Sequence, residues 1–324
     1  MEGYPFSKEM DVFMNPTRPS KFQAVSPAMK RLNATLLILV GAGIFIFGLN
    51  VLFLALTALV TQLVFEILFA YYRDKKIDEG WVYNALILVL LLPPSLPLWI
   101  GAVGTAFAAV FGKLVFGGYP KYVFNPALVG IIFLTISFPS FMSTQWLDPV
   151  TGLIGTGTPI GSWGRGLDVL VTYPLMNLFT GMAPGLIGEV SRGLILVLGL
   201  LLVVTKTIDW KAPFFFLASF VGLGYLGNYL ALDKFYDPFT AVLVGNVIFA
   251  SVFLVSDKPT LPTKAFARIL YGFFLAVFTL LIRIYAAWPE GVIFALVIMN
   301  AISPLLDSLV SGKSVTDVTL AEVK

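Results

Sequence analysis

The chain has 324 residues, 58% of them hydrophobic and 12% charged, with a formal net charge of +3 and neither cysteine nor histidine. Soluble domains carry roughly 25% charged residues, so this composition points to a protein whose solvent is lipid. The lack of thiols and imidazoles excludes iron–sulfur, haem and zinc sites with their usual ligands and excludes Ser–His and Cys–His catalysis, while +3 is too small a charge to indicate nucleic acid as a partner.

Residues 1–32 are polar, mixed in charge and contain proline, unlike the short basic region and brief apolar core of a signal peptide. They are expected to form a cytoplasmic segment. From Asn33 to Tyr72 the chain is largely apolar, and only Gln62 and Glu66 strongly resist burial in hydrocarbon. One pass needs ~20 apolar residues, so this run suffices for two, with a turn near Gly48-Leu49-Asn50. Continuing in this way, ten hydrophobic spans are predicted, at 33–50, 51–72, 82–96, 97–116, 124–140, 187–205, 212–232, 238–256, 266–286 and 290–309. The third runs into Pro93-Pro94-Ser95-Leu96-Pro97, which no continuous helix accommodates. Broken helices survive at membrane depth only where protein or a cavity satisfies the freed backbone groups.

Charge distribution orients this layout. With the N-terminus inside, 17 of the 21 Lys and Arg residues fall on the inner side, and only Arg165, Arg192, Lys234 and Arg283 fall outside. The long polar stretch at about 140–186, rich in Gly, Thr, Ser and Pro, then lies on the outer side, where long loops usually carry function. The expected fold is an all-α polytopic membrane protein of about ten transmembrane helices. Residues 33–309 form its single transmembrane domain, and 310–324 form a cytoplasmic tail.

Two segments echo one another: Tyr122-Val-Phe-Asn-Pro-Ala-Leu-Val-Gly130 and Phe235-Tyr-Asp-Pro-Phe-Thr-Ala-Val-Leu-Val-Gly245. Each sets Asn or Asp as N-cap before a proline at the first helical position. The charge-derived topology runs the two helices in opposite directions, as an inverted repeat with broken or half helices requires.

Charged and polar residues within the spans are functional candidates by default. Glu66 reads either as a carboxylate snorkelling toward Arg73 and Lys76 or as an ion-path residue. Glu189 and Arg192, three apart at the mouth of the sixth span, read as a pair on one helix face, with Arg192 also suited to a ligand phosphate. Asp257, Asn300 and Asp307 fall near inner span ends, where helix termination or packing against neighbouring subunits explains them.

Four motifs in order carry a family resemblance: Lys121-Tyr-Val-Phe-Asn-Pro-Ala127, Phe179-Thr-Gly-Met-Ala-Pro-Gly-Leu-Ile-Gly-Glu-Val-Ser191, Ser256-Asp-Lys-Pro-Thr-Leu-Pro262 and Trp288-Pro-Glu-Gly-Val-Ile-Phe-Ala-Leu-Val-Ile-Met-Asn-Ala-Ile-Ser-Pro304. They resemble the D subunit of Rnf-type ferredoxin:NAD oxidoreductases, homologous to the B subunit of sodium-translocating NADH:quinone oxidoreductases. The resemblance implies one membrane component of a multi-subunit complex, in a bacterial or archaeal cytoplasmic (inner) membrane. That complex couples electron transfer between reduced ferredoxin and NAD to sodium or proton translocation. It also implies FMN joined through its phosphate to a threonine by a separate flavin transferase, and a second, non-covalent flavin such as riboflavin that these residues do not locate.

The flavinylation pattern of the family matches Gly155-Thr-Gly-Thr-Pro-Ile160 best and nominates Thr158. Gly157 stands where the pattern has alanine, Thr156 where it has glycine, and Asp148 is farther upstream than the pattern's acid. Thr156, Thr151 and Thr172 therefore stay open, as does a plain Gly/Thr turn. Gly181, Gly185 and Gly188 would let backbone approach a flavin closely, and suit a tight turn equally well. Glu189 and Arg192 border the same stretch. From another class, a channel or carrier of the urea or ammonium-transporter type shares the expected architecture. Ammonium transport usually relies on pore histidines, and there are none.

Overall fold

The computed structural model describes residues 22–155, 157–166, 168–189, 191–230, 237–286 and 290–312, and the expected terminal segments lie largely outside them. The described residues hold helices and two isolated β-bridges, with no strand among them. α1 (Pro27–Phe47) starts six residues before Asn33 because the Ser26 side chain caps Met29 N and Pro27 occupies the first turn. Gly48, at φ 89°, turns the chain directly into α2 (Leu49–Arg73), at the position the sequence predicts. Phe45, Leu49, Val60 and Val64 stay exposed on this pair, an apolar exterior suited to lipid rather than water.

α3 (Trp81–Leu90) spans only ten residues, or ~15 Å, about half the hydrocarbon thickness. The predicted third span thus stops short of Pro93. The chain then turns, and Asn50 Nδ2 donates to Pro94 O at 2.7 Å and Leu96 O at 3.3 Å, answering carbonyls that the break frees. α4 (Leu98–Phe107) continues through a π turn at Ala108–Lys113 and a 3₁₀ turn at Leu114–Phe116. α5 (Pro126–Ser137) begins at the Asn125 cap, whose side chain accepts from Ala127 N.

The connecting stretch carries four short helices, α6 (Pro139–Thr144), α7 (Pro159–Gly164), α8 (Val169–Thr172) and α9 (Leu175–Thr180), then a 3₁₀ turn at Ile187–Glu189. α10 (Arg192–Val204) and α11 (Lys211–Tyr229) follow. The eighth predicted span is broken into α12 (Pro238–Leu243), α13 (Val247–Phe249) and a π turn at Ala250–Leu254. Asp237 caps α12 through Thr240 N, so both echoed Asn/Asp-Pro helix starts form as read. α14 (Ala265–Tyr285) and α15 (Val292–Ser311) complete the bundle.

Every predicted span therefore holds helix, but not every one is a full-length span. Among the described residues, five helical stretches are long and apolar enough to cross a membrane: 27–47, 49–73, 98–116, 265–285 and 292–311. α3, α5 and α10 are shorter apolar helices. α14 packs against α11 backbone to backbone: a Cβ on Gly272 would lie 2.6 Å from Ala212 O and 2.8 Å from Phe216 N. Only glycine permits that approach.

Candidate functional site

The stretch between α5 and α10 is built by local chemistry. Asp148 Oδ1 accepts from Val150 N at 2.9 Å and Oδ2 from Thr151 Oγ1 at 2.8 Å, an aspartate turn closed by Asp148 N donating to Leu153 O. Gly155 N then bonds Trp146 O, and the chain enters α7, which Thr158 caps: its Oγ1 accepts from Gly161 N at 3.2 Å, with Pro159 next. Tyr173 reaches back from the end of α8, donating its hydroxyl to Gly157 O at 2.8 Å. Burial and the Asp148 carboxylate push this phenol above its ordinary range, with Arg165 opposing.

Thr158 lies half-buried on the wall of a cavity of about 570 Å³, within the ~300–1,000 Å³ typical of small-molecule and cofactor sites. Its apolar walls include Leu91, Ile131, Trp146, Leu186, Ile293 and Phe294, and its charged lining residues are Arg165 and Glu290. Arg165 is exposed and its Nε donates to Gly161 O at 3.1 Å, one helical turn from the cap.

A flavin phosphate joined to a hydroxyl needs an accessible oxygen, a cation near the phosphate and a mainly apolar chamber for the ring. Thr158, Arg165 and the apolar walls meet those needs. An ester oxygen keeps lone pairs, so the contact from Gly161 N is compatible with the modified residue.

The other sequence candidates sit elsewhere. Thr156 lies outside the described residues. Thr151 is exposed and spent on Asp148, and Thr172 is exposed at the end of α8; neither lines the cavity. Gly181 ends α9 at φ 86°, and a Cβ on Gly185 would meet Glu189 Oε2 at 2.6 Å. A Cβ on Gly188 would meet Leu90 O at 2.6 Å. Gly181 thus makes a turn, while Gly185 and Gly188 sit where protein packs closely on protein. Glu189 and Arg192 are buried and paired at 3.1 Å, as their spacing predicts, and Arg192 Nη1 also donates to Leu178 O at 2.8 Å. Neither lines the Thr158 cavity, so the cation beside Thr158 is Arg165 and not Arg192.

Glu66 does not snorkel. It is buried, bonded to Gln62 Nε2 and paired with Lys113 Nζ, while Arg73 instead donates to Leu114 O. Lys113 is fully buried and also pairs with Asp78 Oδ1 at 2.7 Å. Asp78 in turn accepts from Gly80 N and Tyr119 N, each at 2.9 Å. Two carboxylates thus share one ammonium. Counting Lys113 among the basic inner segments hides this role, although its place inside the apolar run 97–116 is itself a signal.

Asp257 is buried beside Tyr122 OH and Asn125 Nδ2, the latter at 2.8 Å. Tyr271 and Asn300 bond at 2.8 Å between α14 and α15. Asp307 accepts from Thr263 N and Lys264 N ahead of α14. All three have partners within this chain, in packing and helix-end contacts.

A helical bundle with an apolar exterior, half-length helices and a cavity under its long connecting stretch defines a multi-pass membrane protein. The family model described as "NQR2, RnfD, RnfE family" matches residues 18–316, and the chain belongs to this family. Among curated relatives, it is 32% identical to the B subunit of the Na(+)-translocating NADH-quinone reductase of Pseudomonas aeruginosa (strain LESB58), over 79% of this chain and 65% of that protein. It is 30% identical to the protein of the same name from Klebsiella pneumoniae (strain 342), over 76% of this chain and 62% of that protein. It is also 30% identical to the D subunit of the ion-translocating oxidoreductase complex of Halorhodospira halophila (strain DSM 244 / SL1), over 82% of this chain and 84% of that protein. The chain thus spans just under two thirds of the length of these two reductase relatives.

Proposed function

We propose that this chain is the flavin-carrying membrane component of an ion-translocating oxidoreductase complex of the Rnf type, with FMN esterified through its phosphate to Thr158. The observation that carries the reading is the placement of the Thr158 hydroxyl on the wall of a cofactor-sized cavity. Among the family's two kinds of relative, the match to the Halorhodospira protein extends over 84% of its length, against 65% for the Pseudomonas reductase component, which supports the Rnf type. In this reading the electron partners are reduced ferredoxin and NAD, reached through the other subunits of the complex, and a flavin transferase loads the cofactor.

Bound FMN supplies one- and two-electron transfer, which a chain without cysteine or histidine cannot supply through a metal centre of the usual kinds. Thr158 would tether the cofactor, Arg165 would lie near its phosphate, and Leu91, Ile131, Ile293 and Phe294 would offer the ring an apolar wall. Membership of this family supports a bacterial or archaeal cytoplasmic membrane, and the charge asymmetry of the sequence supports the loop outside and both termini cytoplasmic. Glu66 is the candidate for handling sodium or protons. Its cluster with Asp78 and Lys113 carries one net negative charge in a buried setting, and a passing cation would neutralise it.

The test is direct. Denatured native protein run on a gel and viewed under ultraviolet light shows a fluorescent band that Thr158→Ala abolishes and Thr158→Ser, which keeps a hydroxyl, partly retains. Peptide mass spectrometry then places the added nucleotide on the segment containing Thr158. A dark band from cells that possess the transferase refutes the reading and returns the urea-channel class to first place.

A further inference from the structure

The cavity touches something the flavin reading does not use. Between α12 and α13 the helix breaks at Val244-Gly245-Asn246, freeing carbonyls on one side and an amide on the other. A pair of opposite charges from the end of α14 and the start of α15 answers both. Arg283 donates through Nη1 to Ala241 O at 2.8 Å and through Nη2 to Val244 O at 3.2 Å, and Glu290 Oε2 accepts from Asn246 N at 3.2 Å. Gly245, at φ 69°, has no room for a side chain: a Cβ would lie 2.4 Å from Ile160 Cδ1, 2.9 Å from Arg283 Nη2 and 3.2 Å from Glu290 Oε1. The Asn246 side chain is fully buried with both amide atoms unpartnered among the described residues.

The clamp is also in contact with the helix that Thr158 begins. Ile160 abuts Gly245, and the Trp163 ring lies 5.6 Å from the Arg283 guanidinium, with the Phe220 ring 5.4 Å away. Glu290 itself lines the Thr158 cavity and is the acidic residue among those lining it. One carboxyl, which also shares a hydrogen bond with the buried Glu189, therefore holds the amide at the break and borders the chamber.

We infer that Glu290 is a positioning residue that transmits the charge of the cavity's occupant to the break at Val244–Asn246. The inference rests on the flavin reading. One electron added to the occupant without a compensating proton adds one negative charge opposite Glu290. Like-charge repulsion in a partly dry site then favours uptake of a proton from solvent by this carboxylate, and the neutral carboxyl is a weaker acceptor for Asn246 N. The amide contact at the break weakens on one side while Arg283 keeps the carbonyls on the other, so residues 244–249 become the segment that loosens.

The experiment is hydrogen–deuterium exchange by mass spectrometry on the native complex, air-oxidised and then reduced with dithionite, which supplies the electron. A fluorescence gel of the same samples reports the covalent flavin. In the unaltered chain, amides of residues 244–249 exchange about tenfold faster after reduction, while those of α14 are unchanged. In Glu290→Gln the redox dependence disappears, and in Glu290→Asp, which keeps the charge, it persists. Where Glu290→Gln does not accumulate, Arg283→Lys serves as the second variant: it keeps the charge but not the two-pronged contact, and its segment exchanges fast in both states.

A redox-dependent difference that survives in Glu290→Gln or in flavin-free Thr158→Ala overturns the inference. So does equal exchange in both states of a chain whose gel band is fluorescent. Equal exchange with a dark band removes the flavin reading and this inference together.

Discussion

Lys113→Met tests the buried cluster most severely. In the folded chain Lys113 Nζ is the shared partner of Glu66 and Asp78, fully buried, with Gln62 beside Glu66. The cluster then carries one net negative charge, and removing the ammonium makes it two. Deleting one partner of a buried ion pair costs about 3–5 kcal/mol, because the remaining charge has neither water nor a counter-ion. Both carboxylates lose that partner here, but they line a cavity shared with Arg73, Lys75, Lys76 and Lys121, so the loss belongs within that range. The assay is the half-life of the detergent-solubilised protein at fixed temperature, suited to a membrane protein that unfolds irreversibly. Glu66→Gln alone removes a charge but leaves Lys113 paired with Asp78, and is expected to cost less. Combined with Lys113→Met it returns the cluster to one negative charge and recovers part of the loss. Purely additive losses in the double variant would show that the three side chains do not act as a unit. Glu66→Gln also carries the functional question, since unchanged ion-dependent activity in that variant removes Glu66 from the ion path.

Two further perturbations probe the frame. Asn50→Leu keeps the branched shape but strips the donors from Pro94 O and Leu96 O, leaving carbonyls in the turn after α3 unanswered. A loss of about 1–3 kcal/mol per group is expected, read as a shortened thermal half-life, and no change would show that these carbonyls have other partners. Asp209 is partly buried, which by itself would raise its pKa, but the Lys211 N–H and the charges of Arg268, at 2.7 Å, and Lys211 outweigh burial and hold it below its ordinary value. A depressed carboxylate stabilises the fold above its unfolded pKa, near pH 4, and that contribution is lost as the pH falls through the folded value. Comparing melting temperatures at pH 6 and pH 3, Asp209→Asn should narrow the gap; an unchanged gap would show that other acids govern it.

The lipid-embedded class, the segments and the helix starts were legible because each rests on local rules: apolar run length, a cap before proline, glycine at a turn. Ser26, Asn125 and Asp237 all cap the helices they precede. The interruption of the third span was legible from Pro93-Pro94-Ser95-Leu96-Pro97, but the break within the 238–256 segment was not, because hydropathy measures how oily a stretch is and not whether its backbone stays continuous. The same limit applies to side-chain partners. The pairing of Glu189 with Arg192 follows from their spacing on one turn, whereas Glu66 meets Lys113 across 47 positions and Arg283 meets Ala241 O across 42. No periodicity within one helix encodes such distant contacts. Arg165, seven positions beyond Thr158, was visible as an outer-side cation, but its place on the cavity wall depends on how α7 folds back.

Buried polar residues in lipid invite functional roles, yet much of this chain's polar equipment mends its own backbone. Asn50 answers the turn after α3, Arg283 and Glu290 answer the break after α12, and Asp307 answers the amides ahead of α14. This is the condition under which irregular backbone persists at membrane depth. Some of these groups also touch something besides backbone. Thr158 and Arg165, which bond the backbone of α7, line the cavity, and Lys113 pairs with both Glu66 and Asp78. Glu290 likewise holds the amide at the break and borders the chamber. A residue with two such duties ties the integrity of a helix to the contents of a cavity, and so can report on one to the other.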